Sequence, residues 1–296
     1  MRFFYRACSA AALALPLLLV GCNILPTTRH LPVPKAPPVV QTATPQELIE
    51  LLDQRWDAFN TLTATVEISA TQTKTAHDTS TATDFPSCRG FIVMQKPKML
   101  RVAGTYFGVK IFDMTSDGSH FTLVMPTKST AIEGSNMVTQ KSDNPLENLR
   151  PDFFYDAIVV RGMDPDDEYM MTNDTETVED AAKKHLYNMP EYVLNVMRAK
   201  AGKERQAVRV ITFHRDDMLP SDQDIYDNQG NLETQIFYSN YTTFSAGKFP
   251  SKVTIKRPQE GIQLVLAVER VEENVSLPDD EFKVTIPAGT KTQQLK

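Results

Sequence analysis

In run after run between Thr63 and Val271, apolar and polar residues alternate with a period of two. That is the pattern of strands with one buried face and one wet face. Thr63–Thr73 is the first, with Ala64, Val66, Ile68 and Ala70 set against Thr65, Glu67, Ser69 and Thr71. Thr71–Asp84 is polar and Thr-rich and reads as a flexible hairpin end. The densest stretch runs from Gly90 to Pro126. Strands are predicted there at Phe91–Met94, Met99–Ala103, Val109–Met114 and Phe121–Met125, parted by turn formers at 96–98, 104–108 and 116–118. Another strand follows at Ser129–Val138. Later candidates are Tyr169–Thr177, Tyr192–Ala199, Gln206–His214, Ser221–Tyr226, Leu232–Phe244, Lys252–Lys256 and Ile262–Val271.

Two stretches switch to helical spacing. Thr44-Pro45-Gln46-Glu47 is a capping box with proline at the first helical position. Leu48, Leu51, Leu52, Trp56 and Phe59 then form an apolar stripe, which needs a sheet to lie against. Asn144-Pro145-Leu146-Glu147 starts a second helix, carrying Leu149, Phe153, Phe154, Ala157, Ile158 and Val159, with Pro151 dividing it into two short turns. Three consecutive aromatics, Phe153, Phe154 and Tyr155, cannot all face one core; some are expected to cover the mouth of the sheet or to sit exposed. The loop 104–108 is also unusual, because Tyr106 and Phe107 lie between two glycines where a surface loop is normally polar. Either both rings fold back onto the sheet, or they point outward toward an apolar partner.

The first 22 residues read as an export signal: Arg2 and Arg6, an apolar run over Ala10–Val20 too short to span a bilayer, then Leu19-Val20-Gly21-Cys22. The last four match a bacterial lipobox. That implies cleavage before Cys22 and acylation of its sulfur, a stable anchor once two or three chains are attached. Asn23, in place of the aspartate that favours inner-membrane retention in many proteobacteria, points to the outer membrane, facing the periplasm. The domain reading is 1–21 signal peptide, 22–44 lipidated cysteine and proline-rich tether, and 45–296 one β domain. Cys8 leaves with the signal and Cys22 carries lipid, so Cys88 has no disulfide partner within the chain.

Composition narrows the chemistry. The formal net charge is -6 before the signal is removed, which disfavours nucleic acid, since neutralising phosphates needs an excess of lysine and arginine. No nucleophile elbow, zinc-protease motif or phosphate loop occurs. The five histidines, His30, His77, His120, His185 and His214, are not at metal-ligand spacing from one another. No catalytic residue, metal or cofactor is predicted, and the chain reads as a non-enzyme.

Several segments resemble the LolA/LolB superfamily of lipoprotein-sorting factors. They are Gly90–Arg101 with its Lys96-Pro97 turn, Ser116-Asp117-Gly118, Asn144-Pro145, and the closing run from Asp279 through Phe282 to Pro287-Ala288-Gly289. The resemblance implies a mainly β fold: one curved antiparallel half-barrel of about eleven strands, with the N-terminal helix and a short helical insert plugging the concave face. It implies a ligand pocket for the acyl chains of lipoproteins or other lipids. Leu48, Leu52, Trp56 and Phe59 would line it from the first helix, Leu100 and Val102 from the sheet, and Phe153, Phe154 and Ile158 from the insert. Lys96 stands where the soluble carrier has a lid-locking arginine, implying a weakened lock. Phe107-Gly108 matches the loop that the membrane-anchored receptor inserts into lipid, with Tyr106 beside it. The implied role is an outer-membrane lipoprotein that accepts acylated ligands, through a soluble LolA-like carrier as partner, and helps insert lipoproteins. A lipid- or glycolipid-binding or envelope-stress sensor of the same fold, a lipid hydrolase and a purely structural lipoprotein are the alternatives.

Overall fold

The computed structural model describes residues 39–76, 79–137, 150–180, 185–200, 202, 204–245 and 247–295. Residues 34–296 make one compact unit; residues 1–33 make another, wholly outside the described residues. Cys22, most of the tether and the helix start at 144–149 therefore also lie outside them.

Helix α1 (Pro45–Asp57) opens the described fold. Its predicted capping box is formed: Glu47 N–H donates to Thr44 Oγ1 at 3.3 Å, and Thr44 N–H donates to Glu47 Oε2 at 2.7 Å. Leu48, Ile49 and Leu52 are buried, each contributing about 2 kcal/mol of apolar burial. Phe59 belongs to the connector beyond the helix end. Residues just ahead of the helix, in the segment read as a tether, are docked on the fold. Gln41 exchanges bonds with Arg215, and Ala43 N–H donates to Tyr192 Oη at 3.3 Å.

Among the described residues, fourteen strands form one open sheet. β1 (Thr61–Ala76), β2 (Thr79–Gln95), β3 (Met99–Tyr106), β4 (Val109–Ser116), β5 (His120–Met125) and β6 (Thr130–Ser135) meander outward from the centre. Helix α2 (Asp152–Ile158) then carries the chain to the opposite edge. From there β7 (Asp167–Asp180), β8 (His185–Ala199), β9 (Arg205–His214), β10 (Pro220–Tyr226), β11 (Leu232–Phe244), β12 (Gly247–Arg257) and β13 (Ile262–Glu273) meander back. β13 closes antiparallel onto β1. β14 (Lys291–Leu295) caps the outer edge of β6 in parallel.

The mainly β class holds, with fourteen strands among the described residues where the resemblance implied about eleven. Alternation alone marks thirteen segments, and the tail, where no strand was predicted, adds β14. The Thr71–Asp84 segment is also strand and not a loose hairpin end. Pairs such as Thr71 with Asp84 and Thr75 with Ser80 continue the β1–β2 ladder into an exposed ribbon. Its polarity masked the strand preference of β-branched threonine.

The sheet is strongly curled, and α2 reveals by how much. Tyr155 Oη donates to the Pro97 carbonyl in the β2–β3 turn at 2.9 Å, while Gln223 Nε2 on β10 donates to the carbonyl of the next residue, Asp156, at 3.1 Å. β2 and β10 are five strand spacings apart, about 24 Å on a flat sheet. Neighbouring residues of one short helix reach both only because the sheet bends around them. A glycine pair marks one place of bending, as strand glycines often do. Gly90 faces Gly104 across β2–β3, and a side chain on either would overlap Ile68 and Val66 or the Phe112 ring.

The chain after β13 straps the outer face. Arg101 Nη1 donates to the Glu281 carbonyl at 2.8 Å, and its other nitrogens grip Asp113 at 2.8 and 2.9 Å. Lys110 Nζ donates to the same carboxylate at 2.6 Å. Burial pushes the Asp113 carboxyl up, but the Arg101 and Lys110 bonds outweigh it and hold it below the usual carboxylate range.

Candidate functional site

The concave face is apolar by alternation: Leu62, Ala64, Val66 and Ile68 of β1, Ile92 and Met94 of β2, and Leu100 and Val102 of β3 all join the core. A second sheet would be the usual cover; here α1 and α2 cover it instead. Phe153, Phe154 and Tyr155 are all buried in the same core cluster, against the expectation that they cannot all face one core; of the two outcomes expected for the remainder, none sits exposed. The short helix is packed on more than one side, which is how three adjacent aromatics can all be inside. Phe153 and Phe154 stack with centroids 4.3 Å apart, Trp56 meets Tyr155 edge-on at 6.0 Å, and the Arg257 guanidinium lies 5.7 Å from the Phe153 ring. Pro151 is the N-cap of α2, the second of the two turns expected on either side of it; the first, at 144–149, lies outside the described residues.

Both helices are held down by a few polar contacts. Lys96 Nζ donates to the Trp56 carbonyl near the end of α1 and lies 4.6 and 4.7 Å from the Trp56 and Phe59 ring centroids. Burial lowers its ammonium pKa, opposed by Asp57 and Glu273. Lys96 thus grips the end of α1 through one hydrogen bond and two ring faces. α2 is held by the Tyr155–Pro97 and Gln223–Asp156 bonds. Behind it, Arg209, 2% exposed, donates to the carbonyls of Arg161 and Gly162 at 3.0 and 2.6 Å. Burial, with Arg161 adding to it, lowers the Arg209 pKa to about 10 against the opposing carboxylates of Asp156, Asp167 and Asp164.

The residues predicted to line a pocket are brought together, but mostly as packed core. Leu48, Leu100, Val102 and Phe154 are buried in the cluster, with Trp56 half-buried against it. Leu52, Phe59 and Ile158 line a cleft of about 120 Å³ next to Tyr238 and Tyr241. A larger hollow of about 690 Å³ lies beside α2 and is polar, lined by Arg150, Asp152, Asp156, Glu233 and Arg257, with Phe153 at its wall. Burial raises the Asp152 carboxyl to about 6, with Lys98 opposing and Asp156 adding. Nothing in the apolar alternation pointed to this hollow, because its residues come from α2, separate turns and strand ends.

The 104–108 loop takes the outward of its two readings. Phe107 is 91% exposed and Tyr106 42%, their rings edge-on at 4.6 Å, and Val109 across the hairpin is 57% exposed. Phe107 and Gly108 both have positive φ, 46° and 78°. That backbone suits a primed two-residue hairpin turn, where Asn-Gly is the usual pair and a bulky residue in first place is strained.

Cys88 is buried, and burial raises its thiol pKa, with Glu67 adding to the rise, which makes it a poor nucleophile. Among the described residues, no helix is long and apolar enough to cross a membrane.

No family model matches the chain, and no curated protein matches it. Solved structures do. A DUF1329 family protein from Desulfovibrio piger is 16% identical, with 81% of this chain and 95% of that one covered and a TM-score of 0.49. A LolA superfamily protein from Nitrosomonas europaea is 15% identical, with 82% and 99% covered and a TM-score of 0.49. An outer membrane lipoprotein-sorting protein domain from Vibrio parahaemolyticus is 12% identical, with 81% and 97% covered and a TM-score of 0.48. At such identities the likeness is one of fold, and no functional weight rests on it. The chain is similar in sequence motifs to the LolA/LolB superfamily, and one of these structural neighbours bears that superfamily's name.

Proposed function

We propose that this chain is a lipid-anchored, periplasm-facing protein of the outer membrane that binds acyl chains and passes acylated ligands to the bilayer by binding and transfer alone. One observation carries the reading: the apolar face of an open sheet is covered by two short helices held by a handful of polar contacts. Such a cover can be exchanged for a ligand of similar chemistry. Each acyl methylene that replaces a helix side chain against the sheet regains about 0.8 kcal/mol. Because Phe154 and Tyr155 are packed into the core, α2 must move for a chain to enter. A soluble LolA-like carrier is the proposed donor, and Phe107 with Tyr106 the proposed contact with lipid. The named pocket residues on α1, β3 and α2 would become the acyl-chain walls once the cover shifts.

Titration with a hydrophobic fluorescent dye tests this. Saturable binding, competed by long-chain acyl ligands, is the expected result. Absence of saturation would favour a purely structural lipoprotein. Anchoring is tested separately: Cys22→Ala is expected to move the protein from the membrane to the soluble periplasmic fraction or to stall it as precursor. A Cys22→Ala protein that still floats with outer membranes would exclude this anchor.

A further inference from the structure

At the β7 edge of the sheet, three side chains far apart in sequence converge on its outer face. Glu191 of β8 pairs directly with His214 of β9, and Glu176 of β7 pairs with Met189, two residues from Glu191. Strand registers therefore set Glu176 diagonal to Glu191 on one face, at a distance long side chains can bridge. One ligand atom from each residue lies within 4.8 Å of the other two. His214 Nε2 is 3.4 Å from Glu191 Oε1 and 3.8 Å from Glu176 Oε2.

Those separations are longer than the roughly 2.7–3.2 Å of a good hydrogen bond. The shorter matches the edge of a tetrahedron built from bonds of about 2.1 Å, roughly 3.4 Å, the nitrogen–oxygen spacing around zinc, and the longer needs only a small swing of the exposed Glu176 side chain to reach it. The surroundings favour a cation. Glu191 is 7% exposed, so its carboxylate is held out of water beside an imidazole. Asp216 acts on the same imidazole, and its Oδ1 is buried without a hydrogen-bond partner, as is His214 Nε2, among the described residues. Arg215, the adjacent cation, is engaged elsewhere, 4.5 Å from the Tyr192 ring and donating to the Gln41 carbonyl at 3.0 Å.

We propose that Glu176, Glu191 and His214 form a zinc-type divalent metal site that staples edge strand β7 to β8 and β9. One imidazole and two carboxylates make a borderline ligand set, suited to zinc and unlike the all-oxygen shells of calcium or magnesium. Two carboxylates neutralise the ion, and a fourth position stays open to water. Bound metal would also tie down the strand that ends the sheet, the edge otherwise open to pairing with another chain. The tether docks beside it, since Gln41 Nε2 donates to the Asp216 carbonyl at 2.7 Å.

The test uses the full chain, stripped with chelator, then titrated with zinc chloride by calorimetry and followed in thermal unfolding. Expected are one equivalent bound at this site and a Tm rise of about 5–10 °C at zinc a hundredfold above Kd. Cobalt in place of zinc is expected to give visible absorption bands of a low-coordinate nitrogen–oxygen site. Glu176 is mostly exposed, so Glu176→Gln leaves the core intact; it should weaken zinc binding about tenfold or more and shrink the Tm rise. His214→Ala should abolish both effects. The proposal is overturned if the chain binds no zinc, or if both variants bind it as the parent does, which would place any metal elsewhere.

Discussion

Phe107→Asn is expected to raise the Tm of the domain while impairing delivery to membranes. The two effects share a cause. At φ 46° Phe107 occupies the left-handed region, in which a bulky side chain costs on the order of 1 kcal/mol that asparagine largely avoids. At 91% exposure its ring contributes nothing to the core except an edge contact with Tyr106. A ring that leaves water for the bilayer interface regains roughly 1.5–3 kcal/mol, so its loss should slow membrane-dependent transfer by about 10- to 100-fold. Phe107→Glu should do so more severely, with binding of acyl ligands in solution unchanged. Calorimetry and transfer of an acylated protein into liposomes check both halves. A fall in Tm on Phe107→Asn would mean that the ring supports the fold, and undiminished transfer would make the loop ordinary surface.

The second large effect lies at the strap. Asp113→Ala is expected to destabilise the domain by about 3 kcal/mol, the lower end for removing one partner of a buried ion pair. That is roughly 6–12 °C in Tm for a domain of this size. The Asp113 side chain is 3% exposed, and Arg101, 22% exposed, would keep its charge with only Glu281 beside it. Lys110→Ala should cost under about 1 kcal/mol, because that ammonium is 46% exposed. The pH dependence follows in sign. With the folded pKa depressed, the Asp113 contribution is complete above the ordinary carboxylate value of about 3.9 and disappears as pH falls through the lower folded value. Chemical denaturation at neutral and acid pH should show Asp113→Ala and parent converging in acid. Equal stability at neutral pH would refute the strap.

Much of this fold was legible because alternation and capping are local. Leu232–Phe244 was bounded correctly, and the Thr44–Glu47 cap is present as read. What the sequence hid is long-range. β14 forms only because the tail reaches β6, and the ribbon at 71–84 stands on ladder bonds that its threonines do not advertise. The aromatic run at 153–155 was misjudged because burial was reasoned from one helix face, while α2 is enclosed from several. His214 looked isolated for the same reason: its neighbours are set by strand register and not by spacing. Phe107 was identifiable because glycines flank an aromatic pair, a local anomaly that survives folding.

The order of strands has a kinetic corollary. β1–β6 and β7–β13 are two meanders of nearest-neighbour hairpins, joined edge to edge only where β1 meets β13. That seam pairs Leu62 with Glu273, about two hundred residues away, whereas every other antiparallel pair joins consecutive strands. Local hairpins close quickly, while loop-closure entropy delays so distant a pairing. The halves would form first and zip along β1–β13 last. Until then both seam strands present unpaired, alternating apolar edges, the kind of surface on which nascent chains aggregate. A chain that folds after export would meet that hazard in the periplasm, and any chaperone serving it would have one place to guard.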